Sequence, residues 1–186
     1  MSTILALVGM SGSGKSAAAK YIKEIYDFPT IRLGDLTERI LKEQKLEVTE
    51  ENERFIREEL RREHGMNVYA KLNMPLIKKA AKTSAVVVVD GLYSTEEYKY
   101  FLEAYGNDLL VIAIYAPPKI RYERLLKRKV RPLTNKEAKN RDFAEIENSS
   151  KGGPIAMADH TIKNIGLFDF LKRELTDLID GINETN

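Results

Sequence analysis

Short apolar runs alternate along this chain with longer amphipathic stretches, in the order that predicts a parallel sheet covered by helices. The clearest run covers residues 85–89, where an alanine is followed by four valines. β-Branched residues throughout a run are typical of a strand buried on both faces. The same pattern predicts four further strands, at Thr3–Val8, 30–33, Leu109–Tyr115 and 161–163.

Between these runs, apolar residues recur at helical spacing. They predict one helix that opens at Ala17 and others at 36–44, 51–64, 70–82, 96–105, 119–130 and 168–179. Two segments fit the sheet poorly: 43–64 is strongly charged, and 131–153 is polar and interrupted by prolines and glycines. We expect both to lie over the carboxyl ends of the strands, where open α/β sheets bind their ligands.

Composition narrows the class of protein. The chain of 186 residues has the length of one domain, and it contains no cysteine, which excludes disulfides and thiolate metal sites. Its 30 basic and 28 acidic residues nearly cancel, which argues against a dedicated nucleic-acid binder. The first apolar run is too short for a signal peptide, and no run has the length of a membrane span, so we expect a cytoplasmic protein.

The first predicted strand leads directly into a phosphate-binding loop (P-loop). The fixed pattern G-x-x-x-x-G-K-[ST] is matched at every position by Gly9, Met10, Ser11, Gly12, Ser13, Gly14, Lys15 and Ser16. Strand, loop and helix follow in the required order, and the helix continues from Ala17. The alternative, a Gly/Ser turn that happens to end in Lys-Ser, does not explain the flanking elements.

The chemistry expected of this loop is the binding of a nucleotide. Its glycines let the backbone N–H groups face an anionic phosphate chain at the positive end of a helix. Lys15 would add a positive charge at the β- and γ-phosphates, and the Ser16 hydroxyl would bind Mg²⁺. The predicted cofactors are therefore ATP and Mg²⁺.

Two aspartates follow predicted strands and face the same crevice. Asp90 comes after four valines, and its charge there suits Mg²⁺ bound through water; the alternative is an aspartate that caps Ser94 or a loop amide. Asp35 is either the N-cap of a helix beginning at Leu36 or a carboxylate near the acceptor. We favour the metal for Asp90 and leave both roles of Asp35 open.

Arginines cluster after the fourth predicted strand. Arg121, Arg124 and Arg128 lie on one helix face, and Arg131 and Arg141 continue the basic series into the polar segment. Positioned arginines offset the negative charge that phosphoryl transfer spreads over the moving group. The alternative is a solvated helix face. For Arg124 and Arg128 we favour the catalytic role.

A second set of arginines lies in the charged segment. Most of 51–64 is interpreted as a solvated helix face, but Arg57 and Arg61 share a side and are candidates for binding an anionic acceptor. His64 precedes Gly65, which predicts a helix that stops at the glycine. Neither His64 nor His160 is predicted to be a ligand or a base.

With these motifs the chain resembles the nucleoside-monophosphate-kinase branch of the P-loop proteins, and in particular a mostly archaeal family related to adenylate kinases. The likeness covers nearly the whole chain. Besides the P-loop it includes Leu-Gly-Asp-Leu at 33–36, Val-Val-Val-Val-Asp-Gly-Leu-Tyr-Ser at 86–94, Ala-Pro-Pro-Lys-Ile-Arg-Tyr-Glu-Arg-Leu at 116–125, and Asn-Arg-Asp at 140–142. The segment 155–164 also looks like the end of dephospho-CoA kinase, with its Ala-Asp-x-x-Ile-x-Asn.

The resemblance implies a single P-loop NTPase domain of three layers, with a five-stranded parallel sheet, an acceptor-binding arm at about 36–70 and a mobile lid at about 131–153. It implies that Asp35 is a base or acceptor contact, that Asp90 lies near Mg²⁺, and that Asn164 lies beside the base of the donor nucleotide. Arg124, Arg128 and Arg141 match basic positions around the lid.

Two departures from the adenylate kinase pattern concern the acceptor. Glu38 stands where those enzymes place an acceptor-binding arginine, and Leu92-Tyr93-Ser94 replaces their Phe-Pro-Arg. The resemblance therefore does not extend to the residues that recognise AMP.

The function expected from the sequence is ATP-dependent phosphoryl transfer to a small phosphorylated acceptor, either a nucleoside monophosphate or a molecule like dephospho-CoA. The alternative is a nucleotide-dependent switch or accessory ATPase that acts on a protein or RNA partner through the charged segment. No membrane partner is expected, and the pattern indicates no particular oligomeric state.

Overall fold

The computed structural model describes residues 2–130 and 132–185. Five parallel strands form one sheet in the order β2-β3-β1-β4-β5. The strands are β1 (Thr3–Val8), β2 (Thr30–Arg32), β3 (Val86–Asp90), β4 (Leu109–Tyr115) and β5 (His160–Lys163). The predicted α/β class and the predicted five-stranded parallel sheet are confirmed.

Helices cover both faces of the sheet and give the molecule three layers. They are α1 (Lys15–Tyr26), α2 (Asp35–Glu43), α3 (Glu50–His64), α4 (Val68–Ala80), α5 (Thr95–Tyr105), α6 (Pro118–Leu126), α7 (Asn135–Glu147), α8 (Gly152–Ala156) and α9 (Phe168–Thr185). In the part of the chain that the structure describes, no helix has the length and apolar character needed to cross a membrane.

The central strand β1 belongs to two hydrophobic cores, one on each side of the sheet. Ile4, Ala6 and Val8 point into a core shared with α4 and α5. Leu5 and Leu7 point into the opposite core, against α1 and α9. Successive strand residues face opposite sides, so a run that is apolar at every position is required by burial on both faces. This central placement fixes the P-loop, which follows Val8.

Helices α2 and α3 are called the arm below, and the charged segment 43–64 runs from the last residue of α2 to the last residue of α3. Thr49 caps α3 by accepting a hydrogen bond from the Asn52 amide at 3.2 Å. The helix ends at His64, and Gly65 takes φ 85° immediately after it. The predicted glycine stop is confirmed, because a positive φ is readily available to glycine alone.

The polar segment 131–153 is more regular than its punctuation indicates. Residues 132–153, which contain α7 and the beginning of α8, are called the lid below, while Arg131 itself lies outside the described residues. Thr134 and Glu137 form a capping box at the start of α7. Thr-x-x-Glu before a helix is a known start signal, so this helix was within reach of sequence reasoning. No helix was predicted between residues 131 and 153, and the structure adds α7 there.

Helix α6 is also shorter than predicted: it stops at Leu126 and not at residue 130. The chain turns back there, and the Leu133 amide donates to the Leu125 carbonyl at 3.2 Å. Leu125, Leu133 and Ala138 then pack into a small core between α6 and the lid. Burial of these side chains outweighs the continuation of the helix.

A buried ion pair joins the lid to α6. The Arg121 guanidinium donates to both carboxylate oxygens of Asp142, at 2.8 and 2.6 Å. Its remaining hydrogen bonds go to the carbonyls of Ala116 and Ser11, the latter within the P-loop. Tyr122 adds a hydroxyl donor to Asp142 at 2.9 Å. The sequence placed Arg121 on a basic face, whereas the structure uses it to join the loop and the lid.

We expect Arg121→Met to lower the free energy of unfolding by about 3 kcal/mol, because it leaves the Asp142 carboxylate buried without its countercharge. Urea denaturation measures this. The double variant Arg121→Met/Asp142→Leu should recover a large part of the loss, since it removes both charges. The exposed pair Asp169–Lys172 is the control: Lys172→Met should change little. Equal losses of unfolding free energy in Arg121→Met and Lys172→Met would show that burial of the ion pair does not matter.

Candidate active site

The P-loop connects the end of β1 to the first turn of α1. The first six predicted residues, Gly9 to Gly14, form the turn, and Lys15, Ser16 and Ala17 open the helix. Gly14 is the helix N-cap with φ 106°, and the Asn164 amide lies where a side chain at residue 14 would project. At Gly12, with φ 81°, a Cβ atom would come within 2.7 Å of the Arg121 carbonyl. Both positions therefore require glycine.

Inside the loop, one polar atom lacks a partner. The Ser13 hydroxyl is buried, and no described residue hydrogen-bonds to it. A buried polar group without a partner costs free energy unless a ligand satisfies it. The combination of a glycine cradle, a helix N-terminus and an unsatisfied hydroxyl fits the phosphate chain of ATP.

The Lys15 side chain bends back over the loop. Its ammonium donates to the carbonyls of Gly9 at 2.5 Å and Met10 at 3.2 Å. The pKa of Lys15 is lowered to about 7, chiefly by burial in the cleft and then by the positive charge of Lys151, while the carboxylates of Glu145 and Asp90 oppose the shift. The ammonium is thus a desolvated cation at the place where phosphate charge would be neutralised.

Asp90 and Ser16 meet beside this lysine. Asp90 ends β3 and is buried, and the Ser16 hydroxyl is close enough to lower the pKa of its carboxyl group. Burial raises the pKa of Asp90, while Lys15 and Arg32 act in the opposite direction. An oxygen pair of this kind suits Mg²⁺, which keeps several waters and takes its other ligands from phosphate. The predicted metal residues are therefore close together, although the described residues include no group of three or more acidic or histidine side chains that could hold a metal ion.

Neither aspartate is the N-cap of a neighbouring helix. The N-cap of α5 is Ser94, whose hydroxyl accepts from the Glu97 amide at 3.1 Å. Asp35 is the first residue of α2, after the N-cap residue Gly34. Its exposed carboxylate accepts from Arg32 at 3.0 Å. Its predicted role as a base or acceptor contact stays a prediction.

Arg124 and Asn164 lie against the outer side of the loop. Arg124 donates to the carbonyl of Asn164 at 2.9 Å and to that of Ser13 at 3.4 Å. The Asn164 amide also donates to the Ser13 carbonyl, at 2.8 Å. Both side chains therefore support the loop from behind. Direct contact of Arg124 with the reacting phosphate, and of Asn164 with the donor base, stay predictions.

Arg128 and Arg141 lie on the lid side of the cleft. Arg128 is exposed beyond the end of α6, and the positive charges of Arg141 and Arg32 repel it. Arg141 is on α7, where it donates to Glu145 at 3.2 Å and to Glu50 of the arm at 2.9 Å. The Arg141–Glu50 pair joins the lid to the arm.

Sequence reasoning missed Glu145 and Lys151. Lys151 is only 3% exposed, and its ammonium donates to Glu145 at 2.7 Å. Glu145 also accepts from the Ser11 hydroxyl at 2.8 Å. Nothing local distinguishes these residues from the solvated charges around them. The spacing of six residues that joins them belongs neither to one helix face nor to a known motif, so no sequence signal was available.

A cavity of about 480 Å³ lies between the arm and the lid. Its volume falls in the range of small-molecule sites. The aromatic side chains of Tyr69 and Tyr93 form part of its wall, and the charged residues Arg57, Arg61, Arg141, Glu145 and Lys151 form another part. Through the contact of Glu145 with Ser11, the wall of the cavity adjoins the P-loop.

Comparison with known proteins agrees with this geometry. The AAA domain family matches residues 5–161. The UPF0200 protein TK1334 of Thermococcus kodakarensis is 35% identical over 182 residues, which cover 96% of this chain and 97% of that protein.

Two solved kinases share the fold at low identity. A gluconokinase from Sinorhizobium meliloti 1021 matches with a TM-score of 0.60 at 17% identity, over 100% of this chain and 97% of that one. A shikimate kinase from Bacteroides thetaiotaomicron matches with a TM-score of 0.61 at 15% identity, over 96% of this chain and 98% of that one. The fold is therefore the α/β P-loop fold of small-molecule kinases.

The low pKa of Lys15 has a consequence for stability. The unfolded chain binds a proton on Lys15 up to a pH near 10.5, whereas the folded protein releases it near pH 7. Burying the charged ammonium lowers the free energy of unfolding. This cost is fully present below pH 7, and stability recovers as the pH rises from 7 towards 10.5. Lys15→Met should therefore be more stable than the wild type at pH 6, with a difference that shrinks by pH 10.

Urea denaturation at both pH values measures this difference. The exposed Lys20, also on α1, provides the control variant Lys20→Met, whose difference in stability from the wild type should not change with pH. A parallel pH dependence in Lys15→Met and wild type would contradict the buried-cation interpretation.

The same variants test ligand binding. The rise in melting temperature caused by ATP and Mg²⁺ should disappear in Lys15→Met and persist in Lys20→Met.

Proposed function

We propose that this chain, which belongs to the UPF0200 family and contains an AAA domain, transfers the γ-phosphoryl group of ATP to a small phosphorylated acceptor. The acceptor would be a nucleoside monophosphate or a molecule of the dephospho-CoA kind. The observation that carries the proposal is a complete P-loop whose Ser11 hydroxyl contacts Glu145, a residue in the wall of a cavity that is also lined by arginines.

On the donor side, the backbone of residues 9–14 and the Lys15 ammonium would bind the phosphate chain, and Ser16 and Asp90 would hold Mg²⁺. ATP supplies the phosphoryl group, and Mg²⁺ supplies positive charge for its oxygens. Support comes from the unsatisfied Ser13 hydroxyl and from the Asp90–Ser16 contact.

On the acceptor side, Arg61 is the strongest candidate for binding an anionic group. Its guanidinium lies 5.6 Å from the ring centre of Tyr69, and its buried Nε has no hydrogen-bond partner among the described residues. Arg57, one turn earlier, is already paired with Glu50 at 2.8 Å. A phosphate on the acceptor would satisfy Arg61 with the paired hydrogen bonds that arginine makes to such groups.

The position of the lid also favours transfer over hydrolysis. Arg141 and Lys151 of the lid both donate to Glu145, which accepts from Ser11 of the P-loop, and Glu50 ties Arg141 to the arm. A lid that closes on both substrates excludes water and brings positive charge to the moving group. Slow hydrolysis of ATP alone and faster turnover with the correct acceptor are expected from this arrangement.

The decisive experiment is a coupled ADP-release assay with a panel of nucleoside monophosphates and dephospho-CoA. At least one acceptor should raise turnover about tenfold or more over the acceptor-free rate and give a phosphorylated product, and Lys15→Ala should abolish it. If no small acceptor is phosphorylated while a protein or RNA stimulates ATP hydrolysis, the switch function replaces the kinase function.

The same assay tests the acceptor site. Arg61→Gln should raise the KM for the acceptor about tenfold or more, because a charge-assisted phosphate contact is worth about 1.5–3 kcal/mol. The KM for ATP should stay near that of the wild type. Arg62→Gln is the matched control, since Arg62 is the neighbouring arginine and its side chain is 70% exposed. Equal effects of the two variants would rule out Arg61 as the phosphate ligand.

Asp90→Asn tests the metal site, since it keeps the shape of the side chain and removes its charge. Turnover should fall by about a hundredfold, because the ion that neutralises the phosphate oxygens is held less well. The affinity for ATP measured without Mg²⁺ should change little. If both quantities fall together and the protein loses stability, Asp90 has a structural role only.

A further inference from the structure

The carboxylate of Glu145 lies at the P-loop and is surrounded by donors. One oxygen accepts from the Ser11 hydroxyl at 2.8 Å and from Arg141 Nε at 3.2 Å. The other oxygen accepts from the Lys151 ammonium at 2.7 Å. Its side chain is 15% exposed. A single carboxylate thus draws together the loop, the lid helix α7 and the segment that leads into α8.

These donors are of the types that bind phosphate. An ammonium, a guanidinium and a loop hydroxyl converge from three directions, and the Lys15 ammonium acts on the same place electrostatically. Lys15, Arg141 and Lys151 repel one another, while Glu145 attracts all three. This attraction holds the pKa of Glu145 well below its usual range. The position is a site for an anion with several oxygen acceptors.

Lys151 is an unusual residue for a purely structural contact. It is almost fully buried, packs 5.4 Å from the ring centre of Tyr93, and loses solvation that only a close anion offsets. A buried ion pair contributes little net stability compared with apolar residues of the same volume. Its presence at the mouth of a P-loop is better explained by a role with an anionic ligand.

We propose that the Glu145 carboxylate occupies the position of the transferred phosphoryl group, that the γ-phosphate of ATP displaces it, and that Lys151 thereby becomes a second catalytic lysine. No covalent bond changes in this step. One carboxylate with two acceptor oxygens leaves, and a phosphate with three terminal oxygens and more negative charge takes over Lys151, Arg141 and Ser11. The inference rests on the proposed function only in that ATP must bind at the P-loop.

The exchange has an energetic consequence. ATP must displace an internal competitor, so its affinity in the wild type is lower than the donors alone would allow. Removing the competitor should therefore strengthen binding, whereas removing a donor should weaken it. If the Glu145–Lys151 contact only fixes the lid, the result is different. Loss of either side chain then disturbs the closed lid and weakens ATP binding.

The experiment compares Glu145→Gln with Lys151→Met in calorimetric titrations with ATP and with inorganic tripolyphosphate, which has the phosphate chain but no base. Glu145→Gln should lower the Kd for both ligands about tenfold, and Lys151→Met should raise it about tenfold. Glu147→Gln is the control, because Glu147 lies on the same helix, is exposed and makes the same change in charge. It should leave both Kd values unchanged.

Repeating the ATP titrations in high salt distinguishes a direct exchange at Glu145 from long-range electrostatic effects of its charge. Long-range effects between exposed charges fade within a few ångströms at 1 M salt, so a tenfold effect of Glu145→Gln that persists there supports a direct exchange. Urea denaturation of each variant checks that it is folded. If Glu145→Gln destabilises the lid, Glu145→Ala is used in its place, since the alanine variant also removes the charge and leaves room for water.

Changes of opposite sign in the two variants support the exchange. Weaker binding in both, or no change in Glu145→Gln, overturns it and leaves a structural contact. If the wild type binds ATP and the Kd values shift as expected but no acceptor is phosphorylated, only the proposed transfer fails. If neither the wild type nor Glu145→Gln binds ATP or tripolyphosphate, both proposals fail.

Discussion

The arrangement of this molecule depends on the guanidinium of Arg121. It donates to the carbonyl of Ser11 in the P-loop, to the carbonyl of Ala116 after β4 and to both oxygens of Asp142 on the lid. Arginine suits this position because its planar group offers several donors in fixed directions and stays charged when buried. Through one side chain, the lid takes its orientation from the loop that it covers.

A balance of buried charges follows from that orientation. With the lid close to the loop, Lys15, Arg141 and Lys151 share a small volume, and their repulsion requires anions nearby. Glu145 supplies one from the lid, and Glu50 supplies another from the arm. The contact of Glu50 with Arg141 gives the arm and the lid a common boundary over the cavity. Charge neutralisation thus shapes the site as much as apolar packing does.

The sequence was sufficient for the features that depend on local pattern. The valine run 86–89 and the loop motif determine the sheet and the P-loop, because a strand buried on both faces and a glycine turn have few alternatives. Gly65 ends α3 as predicted. The cap Thr134 was readable as well, but the polar composition around it concealed the helix.

There is a physical reason why the remainder of the site could not be predicted from the sequence. The roles of Arg121, Glu145 and Lys151 are set by partners that are distant in the chain, such as Ser11, and charged residues have no periodic signature of their own. Arg121 shares a helix face with Arg124 in the sequence, yet one is fully engaged with the lid and the other supports the loop. Only the fold separates such residues.

The pairing of β1 has a consequence for the newly made protein. Thr3 pairs with Val86, and Ile4 pairs with Leu109, so the first strand finds its neighbours only after β3 and β4 have left the ribosome. Until then the P-loop has no strand to fix its entrance and no Asp90 beside it. The geometry of the loop is therefore a late product of synthesis, complete only when β1 can pair with both β3 and β4.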